Sequence, residues 1–276
     1  MTKNSFIKNN WQRKTLAEII EIFNKSNKIK SIILVGSMAD ESVDIDCWSD
    51  IDLKVILDDE ALNSYYPDTD WIKPLGDVFS IENHEDNFFK TLRICLKNFH
   101  RFDITFIPLS SLDKVENWQT NPFQGKYFLI KNDLSFLDKL ITMIPLSKYE
   151  EKDKNFLLEL ENKFWHKVSL AIIKLIRNDL LISTHLTLDL VRDCLVLKMI
   201  LRDKLYKSNI HRIGEWGNEY VKELPLYELN SNDSILKMIK NSCISFDQLM
   251  IELNPDYIQK TETVGEWINK AESEIS

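Results

Sequence analysis

A glycine–serine pair and two aspartates form the first group of residues whose types and spacing suit chemistry. Gly36 and Ser37 follow an apolar run, residues 31–35, whose β-branched side chains predict a buried strand. A glycine here lets a phosphate approach the backbone, and the following N–H groups and the Ser37 hydroxyl can donate to its oxygens. Asp50 opens the next predicted strand, and Asp52 follows two positions later. Because side chains alternate along a strand, both carboxylates share one face, where they can hold Mg²⁺.

A third carboxylate, Asp103, lies inside another predicted strand, between Phe102 and Ile104. A charge in a buried strand costs several kcal/mol unless it is paired or metal-bound. Two interpretations stay open: an aspartate capped by Arg101 or a backbone amide, or a member of the same site as the two earlier aspartates. Three carboxylates on adjacent strands can hold two metal ions, or one metal ion beside a proton acceptor. A D-x-D pattern alone is more often a solvated strand edge, so Asp103 adds weight to the metal interpretation.

The elements that must position these residues change in type along the chain. The first half predicts a helix over 11–27 and strands over 31–35, 51–57, 78–81, 91–96 and 102–107. From about residue 145, apolar residues recur at steps of three and four, which predicts helices. Pro145 and the charged run after it mark a boundary. The pattern predicts an α+β fold with two domains, 1–146 and 147–276.

Composition excludes several classes of protein. The chain has 276 residues and a formal net charge of −8, with basic residues spread among acidic ones, which argues against a nucleic-acid binder. No apolar run is long enough for a membrane span, and the N-terminal stretch has no signal-peptide pattern. The four cysteines are widely spaced, without a metal-binding pattern. We therefore expect reduced, mostly buried thiols in a cytoplasmic protein.

The combination of Gly36-Ser37, Asp50-x-Asp52 and Asp103 resembles the nucleotidyltransferase superfamily of DNA polymerase beta. Within it, the chain is similar to the aminoglycoside 6-adenylyltransferases, the streptomycin-modifying enzymes. The likeness covers roughly residues 15–205. Four further segments carry it: 70–86 (DWIKPLGDVFSIENHED), 102–113 (FDITFIPLSSLD), 162–181 (NKFWHKVSLAIIKLIRNDLL) and 190–199 (LVRDCLVLKM).

The resemblance implies a five-stranded mixed sheet flanked by helices, followed by a helical bundle that binds substrate, with the substrates between the two. It implies Mg²⁺-dependent transfer of AMP from ATP to a hydroxyl of a cationic aminoglycoside, with release of pyrophosphate. By this match Asp50, Asp52 and Asp103 are catalytic and bind the metal ion. Gly36 and Ser37 contact the phosphates of the nucleotide.

The sequence also departs from the family pattern. The family reads Gly-Ser-Arg where this chain has Met38, so a basic contact to the triphosphate is either lost or supplied elsewhere. Lys174 and Arg177 are candidates to supply it, with a solvated helix face as the alternative. The general base also stays open. His185 stands where the family has an aspartate, and the other candidates are Asp103, Asp179 and Asp189. These departures leave room for another acceptor, such as a lincosamide or a protein hydroxyl, or for a non-catalytic binding or antitoxin module.

Several other side chains have both a functional and a structural interpretation. Trp48 and Trp71 can stack on a base or a sugar, or can simply pack, and His100 is expected in a turn. Four acidic residues can form a wall for a cationic substrate or can be solvated loop residues. They are Asp70, Asp77, Glu82 and Glu85.

Overall fold

The computed structural model of the protein divides into two compact units, residues 1–147 and 148–276. It describes residues 11–42, 45–118, 121–144, 149–207, 216–223 and 228–275. The predicted boundary at Pro145 lies outside these described ranges.

The first unit combines helices with a β-sheet. Among its described residues, the α-helices are α1 (Trp11–Asn24) and α2 (Leu137–Met143), and the strands are β1 (Ile29–Val35), β2 (Ile51–Leu57), β3 (Val78–Glu85), β4 (Lys90–Leu96), β5 (Arg101–Pro108) and β6 (Tyr127–Asn132). Short 3₁₀ helices lie between them at Gly36–Ala39, Asp59–Ser64, Asp70–Leu75 and Leu109–Asn117. The predicted strands all form, and the predicted α+β class is confirmed.

The sheet has six strands in the order β3-β4-β5-β2-β1-β6. β2 and β5 run parallel, and the other neighbouring strands are antiparallel. The parallel pair matters for the site because it brings the starts of β2 and β5 to the same edge of the sheet.

The predicted count of five strands was wrong, because β6 adds a sixth at the edge of the sheet beside β1. Its sequence, YFLIKN, has side chains that are exposed or only partly buried. The segment carries the apolar run YFLI, but four apolar residues without alternation fit a helix as well as a strand, so periodicity alone did not identify it.

The two faces of the sheet differ along β2 and β5. One face carries Leu53, Val55, Ile104 and Phe106, which pack with Phe23 of α1 in a continuous core. The opposite face is apolar only at its far end, where Ile56 and Ile107 join a second cluster with α2. At the near end this face carries charged and hydroxyl side chains, so that a polar surface lies directly beside a packed core.

The second unit is helical. It contains α3 (Lys154–Ile176), α4 (Leu180–Tyr206), α5 (Asn218–Glu223), α6 (Asn232–Leu253) and α7 (Thr261–Ile275). α4 contacts both α3 and α6, and α6 contacts α7. Phe164 of α3 is fully buried, and its ring stacks on Phe246 of α6 with centroids 3.7 Å apart. This stacking anchors the core of the unit.

Asp247 of α6 is a buried charge that ties the start of α7 to the bundle. It is only 2% exposed and accepts hydrogen bonds from the backbone N–H groups of Lys260 (3.1 Å) and Thr261 (2.9 Å). The hydroxyls of Thr261 and Tyr257 donate to the same carboxylate, each at 2.5 Å. The carboxylate therefore satisfies donors at the beginning of a helix other than its own.

All four cysteines are free thiols. Cys194 and Cys243 are buried, Cys95 is partly buried and Cys47 is exposed, so the expectation of mostly buried thiols holds for the helical unit. In the described parts of the chain, no helix is long and apolar enough to cross a membrane.

Candidate active site

The register of two parallel strands brings the aspartates of the sequence pattern together. Asp52 of β2 is the direct neighbour of Asp103 on β5, and Ile51 is paired with Phe102. Asp50 precedes β2 by one residue and, by the alternation of side chains, shares the face of Asp52. Three carboxylates therefore lie at one edge of the sheet.

Gly36 lies directly against this group. Its φ angle is +75°, and a Cβ atom at this position would stand 2.1 Å from Oδ2 of Asp52. Only glycine fits, because any side chain would meet the Asp52 carboxylate and would also strain the backbone. The glycine thus has a structural reason to be present beyond the expected approach of a phosphate.

Two arginines hold two of the three carboxylates. Nη2 of Arg101 lies 3.0 Å from Oδ2 of Asp50, and Nε of Arg93 lies 3.4 Å from Oδ2 of Asp103. Arg101, considered above as a cap for Asp103, makes its ion pair with Asp50. Arg93 reaches Asp103 because antiparallel β4 and β5 pair these two residues directly.

Burial and the neighbouring Asp50 charge raise the pKa of Asp103 above its ordinary value, while Arg93, Arg101 and Lys54 oppose the rise. Lys54 lies on the same face of β2 as Asp52, and its ammonium donates to Oγ1 of Thr105 at 2.9 Å. Burial lowers the pKa of Lys54, and the charges of Asp52 and Asp103 oppose this change. The three aspartates are thus surrounded by three basic side chains.

The donor chemistry of the site suits Mg²⁺, although the carboxylates do not converge. Within the described ranges, no three His, Cys, Asp or Glu side chains form a group that could hold a metal ion. Carboxylate oxygens on one face of two adjacent strands are nevertheless the ligand type that Mg²⁺ prefers. Asp50 and Asp103 would bind an ion either through Oδ1, the oxygen that is not paired with arginine here, or by giving up the arginine.

A cavity of about 460 Å³ adjoins Asp103 on the side away from Gly36. It lies along β3, β4 and β5 and receives charged groups of both signs. Its lining residues are Ser80, Ile81, Glu82, Arg93, Ile94, Cys95, Arg101 and Asp103.

Two basic residues beside the aspartates, Lys54 and Arg93, were not identified as candidates from the sequence. Lys54 continues the alternation of Asp50 and Asp52, so strand periodicity alone could have placed it on their face. Arg93 carries no local signal, because its position beside Asp103 depends on how β4 pairs with β5.

The remaining candidates lie in the helical unit. Asp179 caps the start of α4 and also lies 3.1 Å from Nζ of Lys174, which lowers its pKa. Arg177 is exposed at the end of α3, and His185 is exposed on α4. Asp189 lies 3.8 Å from Nζ of Lys167. Their roles as base or phosphate ligands stay predictions.

The aromatic candidates differ in whether their rings are packed or exposed. Trp71 packs against Phe23 and Phe106, so it belongs to the core, whereas the Trp48 side chain is 74% exposed. His100 stacks on Trp11 with centroids 4.0 Å apart. Of the three, Trp48 has a ring that is open to a ligand.

Each member of the expected acidic wall has a cationic neighbour. Their ion pairs are Asp70–Lys73 (2.8 Å), Asp77–Lys97 (3.2 Å), Glu82–Arg93 (3.3 Å) and Glu85–Lys90 (2.9 Å). Each of the four carboxylates therefore already has a cationic partner, and of the four only Glu82 lines the cavity.

Comparison with known families agrees with this geometry. The model of the family described as streptomycin adenylyltransferase matches residues 10–251, which include all three aspartates and most of the helical unit. The chain belongs to the streptomycin adenylyltransferase family. By this membership it is a nucleotidyltransferase. No curated protein sequence matches the chain.

Two solved structures are similar to the chain at low scores. One is an aminoglycoside 6-adenyltransferase from Bacillus subtilis, with 12% identity and a TM-score of 0.36 over 96% of this chain and 99% of that one. The other is a nucleotidyltransferase-like protein from Exiguobacterium sibiricum, with 10% identity and a TM-score of 0.33 over 88% and 80%. The assignment to the family rests on the family match rather than on these scores.

Met38 is the position at which this family member departs from the Gly-Ser-Arg pattern. It lies in the 3₁₀ helix after β1 and packs against the apolar core of the first unit. A thioether in this place provides packing and no positive charge. Any phosphate contact from a basic side chain must therefore come from elsewhere in the protein.

Proposed function

We propose that this protein transfers AMP from ATP to a hydroxyl of a streptomycin-like aminoglycoside, releases pyrophosphate and depends on Mg²⁺. The main support is the pairing of Asp52 with Asp103 across parallel strands, with Asp50 on the same face. Family membership supports the same reaction type. A cell that adenylylates such a drug would resist it.

In this proposal Asp50, Asp52 and Asp103 hold the metal ion, and Gly36 and Ser37 lie beside the phosphates. Mg²⁺, when bound, neutralises charge that develops on the phosphate oxygens. The acceptor oxygen forms a bond to the α-phosphorus as the bond to the bridging oxygen of pyrophosphate breaks, and pyrophosphate leaves with that electron pair. In this proposal the hydroxyl proton is accepted by one of four side chains, Asp103, Asp179, Asp189 or His185.

The direct test is pyrophosphate release by the purified protein with ATP, Mg²⁺ and a panel of aminoglycosides. We expect release that depends on both the metal ion and the acceptor. Asp103→Asn keeps the size of the side chain but removes its charge, and should lower the rate about a hundredfold or more. Release no higher than background with every aminoglycoside would refute this acceptor class.

A second acceptor class, such as a lincosamide or a protein hydroxyl, is favoured by one observation. Arg93 and Arg101 already pair with the carboxylates beside the cavity, so a cationic acceptor would have to displace one of them, whereas a neutral acceptor would not. Mass spectrometry of acceptors incubated with each nucleoside triphosphate would separate the two classes. A binding or antitoxin role without catalysis would be indicated if Asp50→Asn with Asp52→Asn kept full cellular function.

We also propose that the enzyme acts in the cytoplasm, since its cysteines are free thiols, as is usual in a reducing compartment. Its expected partners there are ATP and a small polar, cationic antibiotic. Fractionation of cells that express the protein would test this location.

A further inference from the structure

The guanidinium group of Arg93 bridges two carboxylates on different strands. Its Nη1 lies 3.3 Å from Oε2 of Glu82 on β3, and its Nε lies 3.4 Å from Oδ2 of Asp103 on β5. The strand registers fix this arrangement, because Arg93 is paired with Glu82 on one side and with Asp103 on the other. Half of the Arg93 side chain is exposed, so it can leave without disturbing the core.

This bridge lies where the acceptor of a nucleotidyl transfer is needed. Gly36 lies on the β1 side of Asp52, and the cavity that contains Arg93 lies on the β5 side. In-line displacement requires the attacking hydroxyl and the leaving pyrophosphate on opposite sides of the α-phosphorus. If the phosphates lie beside Gly36, the acceptor lies in the cavity beside Asp103.

We propose that Arg93 determines acceptor specificity by occupying the place of a cationic group of the acceptor. A guanidinium or ammonium group of the acceptor binds between Glu82 and Asp103 by displacing Arg93 toward solvent. A guanidinium forms the same planar, forked hydrogen bonds to carboxylates whether it belongs to the protein or to a ligand. This inference rests on the proposed function, whose acceptor subsite it locates.

The neighbouring ion pairs explain why Arg93 has this role. Arg101 also lines the cavity, but it binds Asp50 rather than either carboxylate of the bridge. Lys90 forms a similar pair with Glu85 on the same hairpin, yet it is three residues away and on the other face of β4. Removing Arg93 is therefore the change that exposes Glu82 and Asp103 together to the cavity.

The test is the affinity for streptomycin, which carries guanidinium groups, measured by calorimetry without nucleotide. We expect Arg93→Met to lower the Kd about fivefold, the equivalent of one exposed ion pair that the ligand no longer has to break. Arg93→Lys should remain close to the unmodified protein because it keeps a cation in place. Lys90→Met, which removes the same charge from the same strand, should leave the Kd unchanged. The double variant Arg93→Met with Glu82→Gln should lose the increase in streptomycin affinity that Arg93→Met alone provides.

Three outcomes would overturn the inference: an unchanged or higher Kd in Arg93→Met, an equal gain in Lys90→Met, or no streptomycin binding by any variant. A higher Kd for ATP in Arg93→Met, with streptomycin binding unchanged, would instead identify Arg93 as a nucleotide ligand. Pyrophosphate release tests the proposed function separately. If Arg93→Met binds streptomycin more tightly but the protein never releases pyrophosphate, the proposed reaction is refuted. The proposed binding site for the acceptor's cation would still stand.

Discussion

The contact between Gly36 and Asp52 shows how closely the backbone and the carboxylate group fit at the level of single residues. Gly36→Ala introduces a Cβ atom into the space of the Asp52 carboxylate and places alanine at a positive φ. We expect the strained φ alone to cost about 1 kcal/mol of the free energy of unfolding. Displacement of Asp52 should add to this cost and lower pyrophosphate release at least tenfold.

Gly125→Ala is the matched control for Gly36→Ala. Gly125 also has a positive φ, +98°, but a Cβ atom there would meet nothing within 4 Å. Chemical denaturation of both variants should show the cost of the strained φ in each. Equal destabilisation and equal activity in the two variants would contradict the role given to the Gly36–Asp52 contact.

How far the site can be predicted differs from residue to residue. Asp50, Asp52 and Asp103 could be selected as candidates because strand periodicity and local motifs mark them. The structure pairs Asp52 with Asp103, and the catalytic roles of all three stay predictions. Their pairing and the presence of Arg93 depend on contacts between strands that lie apart in the sequence. No local pattern encodes such a register.

At the level of elements, Asp247 joins α6 to the segment that begins α7. Replacing it with asparagine preserves the size of the side chain but removes its charge. One carboxylate oxygen becomes an NH₂ group, a donor that would face N–H and O–H groups that are themselves donors. We expect Asp247→Asn to lower the free energy of unfolding by about 2–3 kcal/mol. Urea denaturation followed by circular dichroism would measure the loss.

Asp233→Asn provides the comparison on the same helix. Asp233 is exposed and pairs with Lys237 one turn later at 2.7 Å, so its loss should cost less than about 0.5 kcal/mol. A similar cost for both substitutions would show that the buried carboxylate does not stabilise the start of α7.

Elements were predictable where packing is continuous. The helix α3 and the strands β1, β2, β4 and β5 bury regular apolar patterns, and these patterns are local properties of the sequence. β6 was missed because its four apolar residues fit a helix as well as a strand, and the short α5 has too few residues to show a period.

At the scale of the whole molecule, the reactivity of the four thiols shows whether each of the two units is folded. Burial raises the pKa of Cys194 to about 12 and that of Cys243 well above its ordinary value. Because the thiolate is the reactive form, a raised pKa keeps both thiols protonated and unreactive at pH 8. We expect a chromogenic disulfide reagent to modify Cys47 quickly and Cys95 slowly in the native protein, and all four thiols in denaturant.

Cys47→Ser should remove the fast phase of this reaction and leave the slower one. This result would assign the fast phase to Cys47. Rapid modification of all four thiols under native conditions would show that the helical unit opens readily and would contradict the packing described for its core. The same reaction followed against urea concentration would report the unfolding of that unit.

The β3–β4 hairpin supplies both Glu82 and Arg93 but none of the three aspartates, which lie on or beside β2 and β5. Apart from Asp103, which belongs to both, the residues for acceptor preference and those for transfer thus lie in different segments of the chain. A resistance enzyme built in this way can meet a new drug by substitutions within residues 78–96, while its reaction machinery is inherited unchanged.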